Sequence, residues 1–192
     1  MPIEIEAKVR VASFLELRRR LMDLGADRLG ISLERNDLYD LPGRDLAERG
    51  CRLRLRTVRR GGEGAPVLTF KGPKLGGRFK SRHELEIGVS DKATAQRLLE
   101  AMGYRPYFSF EKRRESWRLG GWNIELDQVP LLGRFVEVET AGVRELDHAL
   151  AALRLERLKL ITRGYASLLR RQLRERGIAS RRVRFRGHTA AA

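Results

Sequence analysis

Residues 4 to 8 read Glu-Ile-Glu-Ala-Lys. In an extended strand this order puts Glu4, Glu6 and Lys8 on one face and Ile5 and Ala7 on the other. The same charged parity returns in five later segments: Arg52, Arg54, Arg56; Arg82, Glu84, Glu86; Lys112, Arg114; Glu125, Asp127; Glu137, Glu139. A single row of this kind is an ordinary solvated face laced with surface ion pairs, each worth ~0–1 kcal/mol. Six rows of mixed sign, with nothing neutral among the charges of Arg52, Arg54 and Arg56, point instead to a shared polar interior. A barrel lined with ion-binding groups has such an interior.

The punctuation of the chain supports that reading. Strands are expected at about 2–11, 36–41, 51–59, 66–71, 83–89, 107–118, 122–129 and 134–140. Gly61-Gly62-Glu63-Gly64, Gly72-Pro73, Gly76-Gly77 and Gly120-Gly121 mark the loops and turns. Helices are expected from Ser13 to Gly25, from Ser90 or Asp91 to about Gly103, and near 144–158 and 163–175. Mostly antiparallel strands with attached helices give an α+β fold, a closed eight-stranded antiparallel β-barrel (a tunnel) with helices packed outside.

At 192 residues and 42% apolar the chain can bury one substantial core. Cys51 is the single cysteine, so neither an internal disulfide nor a cysteine metal site is expected. No apolar run approaches the ~20 residues of a membrane span, and no signal-peptide core is present, which leads to the expectation of a cytoplasmic protein without membrane contact. The net charge of +15 calls for a polyanionic partner. From Arg170 onward there are eight arginines and one acid, Glu175, so about half of the excess sits at the C-terminus. Residues 176–192 are expected to form a flexible basic tail that touches nucleic acid or phosphate nonspecifically, beside a folded domain of residues 1–175.

Carboxylates facing one cavity repel each other unless cations intervene, and hard ions such as Mg²⁺ or Mn²⁺ prefer carboxylate oxygen. The arginine and lysine rows need the opposite, and a polyphosphate meets it through bidentate guanidinium contacts. Acids holding metal and bases holding phosphate are what phosphoryl and nucleotidyl transfer require. The other candidates are weaker. His83, His148 and His188 are scattered, and the glycine loop at 61–64 lacks the Gly-Lys-Ser/Thr of a P-loop. Trp117, Trp122, Tyr104, Tyr107, Phe108 and Phe110 read as packing residues.

With these residues in order, the chain resembles the CYTH superfamily, the triphosphate tunnel metalloenzymes, which includes class IV adenylate cyclases and thiamine triphosphatases. The resemblance rests on Glu4-Ile5-Glu6-Ala7-Lys8, Arg52 and Arg54, Leu68 through Pro73, Arg82 through Glu86, Lys112-Arg113-Arg114, and Glu125-Leu126-Asp127 ahead of Leu132 through Glu139. Lys71-Gly72-Pro73 and Thr162-Arg163-Gly164-Tyr165 are most similar to the cyclase-type branch. The resemblance implies a β-tunnel that binds a triphosphate with a divalent metal, Mg²⁺ or Mn²⁺. Carried over by position, it implies metal ligands at Glu4, Glu6, Glu137 and Glu139 and phosphate grips at Lys8, Arg52, Arg54, Lys71, Arg82, Lys112 and Arg114. Glu6, Lys112, Arg114 and Asp127 form the implied catalytic set, and parity with Lys112 selects Arg114 over Arg113. His83 stands where many relatives carry an acid. A homodimer is left open.

Two chemistries fit one tunnel: a cyclase converting ATP to cyclic AMP and pyrophosphate, and a triphosphatase releasing orthophosphate from tripolyphosphate, thiamine triphosphate or a nucleoside triphosphate. The expected reaction is cyclase-like, with hydrolysis as the alternative. A basic RNA- or polyphosphate-binding module without catalysis is the third reading, and paired carboxylate rows would weaken it.

Overall fold

The charged parity of the first strand, β1 (Ile3–Val11), fixes how the sheet closes, because every neighbour must turn its own polar row to the same side. A computed structural model describes residues 3–62 and 64–186, with the side chains of Ile3 and Glu4 outside that description. Glu63, His188 and the other residues beyond 186 also lie outside the described residues.

After β1 come α1 (Leu15–Asp23), β2 (Asp27–Asp40), the short α2 (Asp45–Glu48), β3 (Arg52–Arg59), β4 (Val67–Leu75) and β5 (Lys80–Gly88). Then follow α3 (Lys92–Ala101), β6 (Arg105–Leu119), β7 (Trp122–Val129), β8 (Gly133–Thr140), α4 (Val143–Ala152), α5 (Tyr165–Glu175) and β9 (Arg182–Val183). The strands run β2-β3-β4-β5-β1-β8-β7-β6, and β2 pairs with β6 to close an eight-stranded antiparallel barrel. Closure leaves no long edge among these eight.

Two apolar clusters cover the outside. Ala7, Val9, Ile124, Leu126, Val136 and Val138, the residues between the charged ones, pack under Leu17 and Leu21 of α1 and Leu146 and Leu150 of α4. Tyr39, Leu53 and Leu55 pack under Leu46 of α2 and Ala95 and Leu99 of α3. Asp91 caps α3 by accepting the Thr94 N–H at 2.6 Å.

The third cluster sets α5 across one end of the barrel and not against its side wall. Leu38, Phe108, Phe110, Val129 and Phe135 share the inward parity of the charged rows, and they pack with Tyr165, Ala166, Leu169 and Leu173 of α5. The inner rows therefore turn from charged to apolar towards one end of the barrel, and α5 seats on that end as its floor.

Element boundaries also differ from expectation. β2 starts at Asp27, nine residues earlier than expected, because its outer face carries exposed Leu29 and Ile31 while Ser32 and Glu34 are buried. That pattern inverts the usual amphipathic signal. Gly72-Pro73 lies within β4, at a register shift between Lys71 and Lys74, where a missing N–H is tolerated. α4 ends at Ala152 and not at 158.

The segment expected as a free tail is built into the fold as far as residue 186. β9 pairs in parallel with Ser109 and Phe110 of β6, and Val183 is buried in the α5 cluster. Arg184 Nη2 donates to Ser109 Oγ at 2.9 Å, and its Nε lies 3.2 Å from Glu111 Oε1. Val183→Asp should undock this strand, so that trypsin cleaves within 176–186 at least ~10-fold faster than in the parent chain. Leu169→Ala, in the same cluster but fully buried, should instead lower urea stability by about 2–5 kcal/mol.

Candidate active site

The eight inward rows enclose a cavity of about 610 Å³. β3 and β8 lie four strands apart in the closed order, so Arg52, Arg54 and Arg56 face Glu137 and Glu139 across the barrel. Lys71 of β4 likewise faces Glu125 of β7. A basic wall and an acidic wall oppose each other.

On the acidic side, Glu6 is the cross-strand partner of Glu139, Lys8 of Glu137, and Glu125 of Glu137. Lys8 Nζ lies 2.9 Å from Glu137 Oε1 and 4.0 Å above the centre of the Tyr165 ring. Burial opposes ionisation of Glu137, but Lys8, Lys112 and Arg114 outweigh it and hold its pKa well below the carboxylate range. Glu6 Oε1 has Lys80 Nζ at 2.6 Å, yet this buried oxygen receives no directed hydrogen bond.

Arg114 joins the two carboxylates of this wall. Its Nε and Nη2 clamp Asp127 at 2.7 and 2.6 Å, and Nη2 also donates to Glu137. Lys112 Nζ at 3.0 Å and the Tyr165 hydroxyl at 2.9 Å both donate to Asp127 Oδ2. Asp127 thus lies fully buried behind the cavity wall with both oxygens engaged. The carboxylate implied as catalytic is placed to orient Arg114, Lys112 and Tyr165, and is not placed to touch a ligand. Burial, then Asp127 and Glu137, push the Tyr165 phenol well above its usual pKa, so it stays a donor.

The basic side is more loosely tied. Arg54 Nη2 donates to Thr69 Oγ1 at 3.2 Å and lies 3.9 Å from both Glu84 and Glu86. Arg56 is 3.3 Å from Glu86, and Lys71 is 2.7 Å from Glu84. Arg52 lies against the start of α5, where a Cβ on Gly164 would come within 2.7 Å of its Nη1. Only glycine fits there without moving the arginine. Arg82 lines the cavity but also donates to the carbonyls of Gly50 and Gly72, at 2.8 and 2.6 Å, tying the loop before β3 and the irregular part of β4 to β5.

The expected residues Glu6, Lys8, Arg52, Arg54, Lys71, Arg82, Lys112, Arg114, Glu137 and Glu139 therefore meet in one cavity. Glu4 pairs by backbone with Arg82, and its side chain is outside the described residues. Arg113 points outward over Phe185, whereas Arg114 shares the inward parity of Lys112 and lines the cavity. His83 alternates with the inward residues and is not part of the lining. Glu34, Lys80 and Tyr165 were not among the expected site residues. Glu34 and Lys80 precede the strand starts read from sequence. Tyr165 sits in the recognised Thr-Arg-Gly-Tyr segment, to which no role was attached.

Among the described residues, no three carboxylates or histidines form a ready-made metal centre, since the acids are turned onto lysines and arginines. The donor set nevertheless suits a hard divalent ion: Glu6, Glu139, Glu137 and Glu125 are adjacent in register and line one wall. A phosphate that drew the bases away would leave these acids uncompensated. Glu6, Glu137 and Glu139 would then hold the ion.

Glu34 gives the site a pH signature. Burial opposes its ionisation, but Lys112, Arg114, Arg56 and Arg54 bring its pKa from the ordinary 4.5 to about 2. A depressed carboxylate adds stability that is fully present above pH ~4.5 and is lost as pH falls towards ~2. Glu34→Gln should cost about 3 kcal/mol in urea unfolding at pH 7. The two proteins should converge in stability below pH ~2. A difference that stays constant across that range would assign the loss to packing instead.

Comparison with known proteins agrees with this geometry. Adenylate cyclase CyaB of Aeromonas hydrophila is 26% identical over 180 residues, covering 88% of this chain and 90% of that protein. The structure of PH1819 from Pyrococcus horikoshii OT3 is 28% identical with a TM-score of 0.75, covering 88% of this chain and 99% of that one. HpAC1 from Hippeastrum, described with a dominant triphosphatase activity, shares the fold at a TM-score of 0.64 and 18% identity, covering 94% of this chain and 98% of its own. The CYTH domain matches residues 2–165, the whole barrel and the start of its floor, and the chain belongs to that family.

Proposed function

We propose that the chain is a divalent-metal-dependent enzyme that holds the triphosphate of ATP in the barrel and forms cyclic AMP and pyrophosphate. The observation that carries this reading is the opposition of Arg52, Arg54, Arg56 and Lys71 to Glu6, Glu125, Glu137 and Glu139 inside one cavity. The basic wall binds the phosphate oxygens. A divalent ion, Mg²⁺ or Mn²⁺, would supply charge neutralisation on the acidic side.

In the reaction the ribose 3′-oxygen bonds to the α-phosphorus, the bond from that phosphorus to the β-phosphate oxygen breaks, and the hydroxyl proton leaves. Glu125 is the tunnel carboxylate suited to take that proton: burial raises its pKa, against the pull of Arg114, whereas Glu34 and Glu137 are strongly depressed. Lys112 and Arg114, oriented by Asp127, stabilise charge on the phosphates. The similarity to adenylate cyclase CyaB supports the cyclase reading.

Hydrolysis of the terminal phosphate is the second reading, favoured by the triphosphatase activity described for HpAC1. The same walls would hold tripolyphosphate or thiamine triphosphate, with water as nucleophile. A cytoplasmic setting, where ATP and Mg²⁺ are abundant, suits either reaction.

Turnover of ATP, tripolyphosphate and thiamine triphosphate with Mg²⁺ or Mn²⁺, with products resolved by chromatography, separates the readings. Cyclic AMP with pyrophosphate is the expected result, and orthophosphate alone assigns the hydrolase. Arg54→Ala and Glu137→Gln should each lower kcat/KM by ~100-fold or more. Unchanged activity in both variants, or no turnover of any triphosphate, would sink the tunnel reading.

A further inference from the structure

A second cleft, of about 630 Å³, lies on the outside of the barrel between the start of β6 and α5. Arg44, Arg105, Arg170, Arg174 and Arg181 line it. They come from four separate segments, the loop after β2, the start of β6, α5 and the loop before β9, so folding alone brings them together. Among the described residues none of the five has a carboxylate partner. The one acid in the lining, Asp40, is fully engaged: Oδ1 accepts the N–H groups of Leu41 and Leu46, and Oδ2 that of Ala47.

Helix α5 shows the selectivity. Arg171 is paired with Glu175 at 2.6 Å, while Arg170 and Arg174, one turn apart on the groove face, are left without an acid. Three of the guanidiniums are also held in place. Arg44 and Arg170 lie 4.8 and 5.8 Å from the centre of the Tyr107 ring, and Arg105 Nη1 donates to the carbonyls of Glu100 and Tyr104. The Arg181 carbonyl accepts the Ser109 N–H at 2.9 Å, and β9 pins the next residues to β6. Arg170, Arg174 and Arg181 all follow residue 165, the last residue matched to the family.

We infer that this groove binds single-stranded nucleic acid. Five guanidiniums along one groove, three of them held by ring or carbonyl contacts, match a repeating chain of phosphates. Exposed Pro42, Pro106 and Ile178 lie among them, and these would contact sugars and bases, which inorganic polyphosphate and acidic peptides lack. A recessed cleft that sets bases beside exposed apolar side chains suits an unpaired strand, whose bases are open to contact. The groove is separate from the tunnel, so this function adds to the proposed turnover and does not depend on it.

Fluorescence anisotropy with a labelled single-stranded oligonucleotide tests the assignment. Binding at low salt should fall with log[salt] at a slope of about −2 or steeper, from ~0.7 per neutralised phosphate. Arg170→Glu with Arg174→Glu should weaken binding ~10-fold or more and flatten the slope by about 1.4. Arg19→Glu with Arg118→Glu, exposed on α1 and at the far end of β6, makes the same change in net charge and should weaken binding less than ~3-fold. Circular dichroism checks folding, and Arg181→Glu, on a loop, carries the test if the helix variant unfolds. The inference is overturned by absence of binding at low salt or by equal losses in the two double variants. It is also overturned if polyphosphate or polyglutamate binds more tightly than the oligonucleotide.

Discussion

Arg114 divides one guanidinium between two carboxylates, Asp127 behind the wall and Glu137 on it, and the polar interior of the barrel is organised around that division. Asp127 has no exposed surface, so its charge depends on Arg114, Lys112 and the Tyr165 hydroxyl. Breaking a buried pair on one side typically costs about 3–5 kcal/mol, although replacing both partners by apolar groups is often neutral or stabilising. Ion pairs in this position are therefore a poor means of stabilising a barrel. Stability comes from the two outer clusters and the α5 floor.

The floor shapes what can bind. Along β8 the inward residues run Glu139, Glu137, Phe135; along β7, Glu125, Asp127, Val129; along β6, Arg114, Lys112, Phe110, Phe108. Tyr165 lies at the change from charge to hydrocarbon, with its ring against Phe135 and Lys8 and its hydroxyl on Asp127. An aromatic with a polar tip suits such a boundary. The inward basic side chains are thus confined to the upper part of the barrel, above an apolar base on which no anion would rest.

Much of this was legible in the sequence because alternation along a strand survives without knowing the fold. The parity of Lys112 and Arg114, or of Glu137 and Glu139, placed these residues together correctly before any pairing was known. The same inversion that reveals the tunnel hides part of its wall. In β2 the apolar Leu29 and Ile31 face solvent and Glu34 faces inward, so the usual rule for finding a strand's buried side failed and Glu34 went unseen. Parity also cannot report depth: Asp127 shares the parity of Glu125 yet sits behind the cavity rather than in it. The docking of β9 was hidden for another reason. Two residues pairing with a strand more than 70 positions earlier leave no local pattern, and Arg181-Arg182-Val183-Arg184 reads as a charged tail.

The uneven strength of the ion pairs bears on how a triphosphate enters. The pairs of Arg54, Arg56 and Lys71 with Glu84 and Glu86 lie towards solvent, with the Glu86 side chain 42% exposed, and are cheap to exchange. Those of Arg114 and Lys112 with Asp127 are buried and costly to break. Phosphate oxygens would therefore displace the carboxylates of β5 first, leaving the Asp127 network in place as a preorganised surface. Each base that turns to phosphate frees an acid, and freed acids in a confined cavity repel one another. Under the proposed function, anion and cation would then arrive together, which would link the affinity for triphosphate to the presence of a divalent ion without any preformed metal centre.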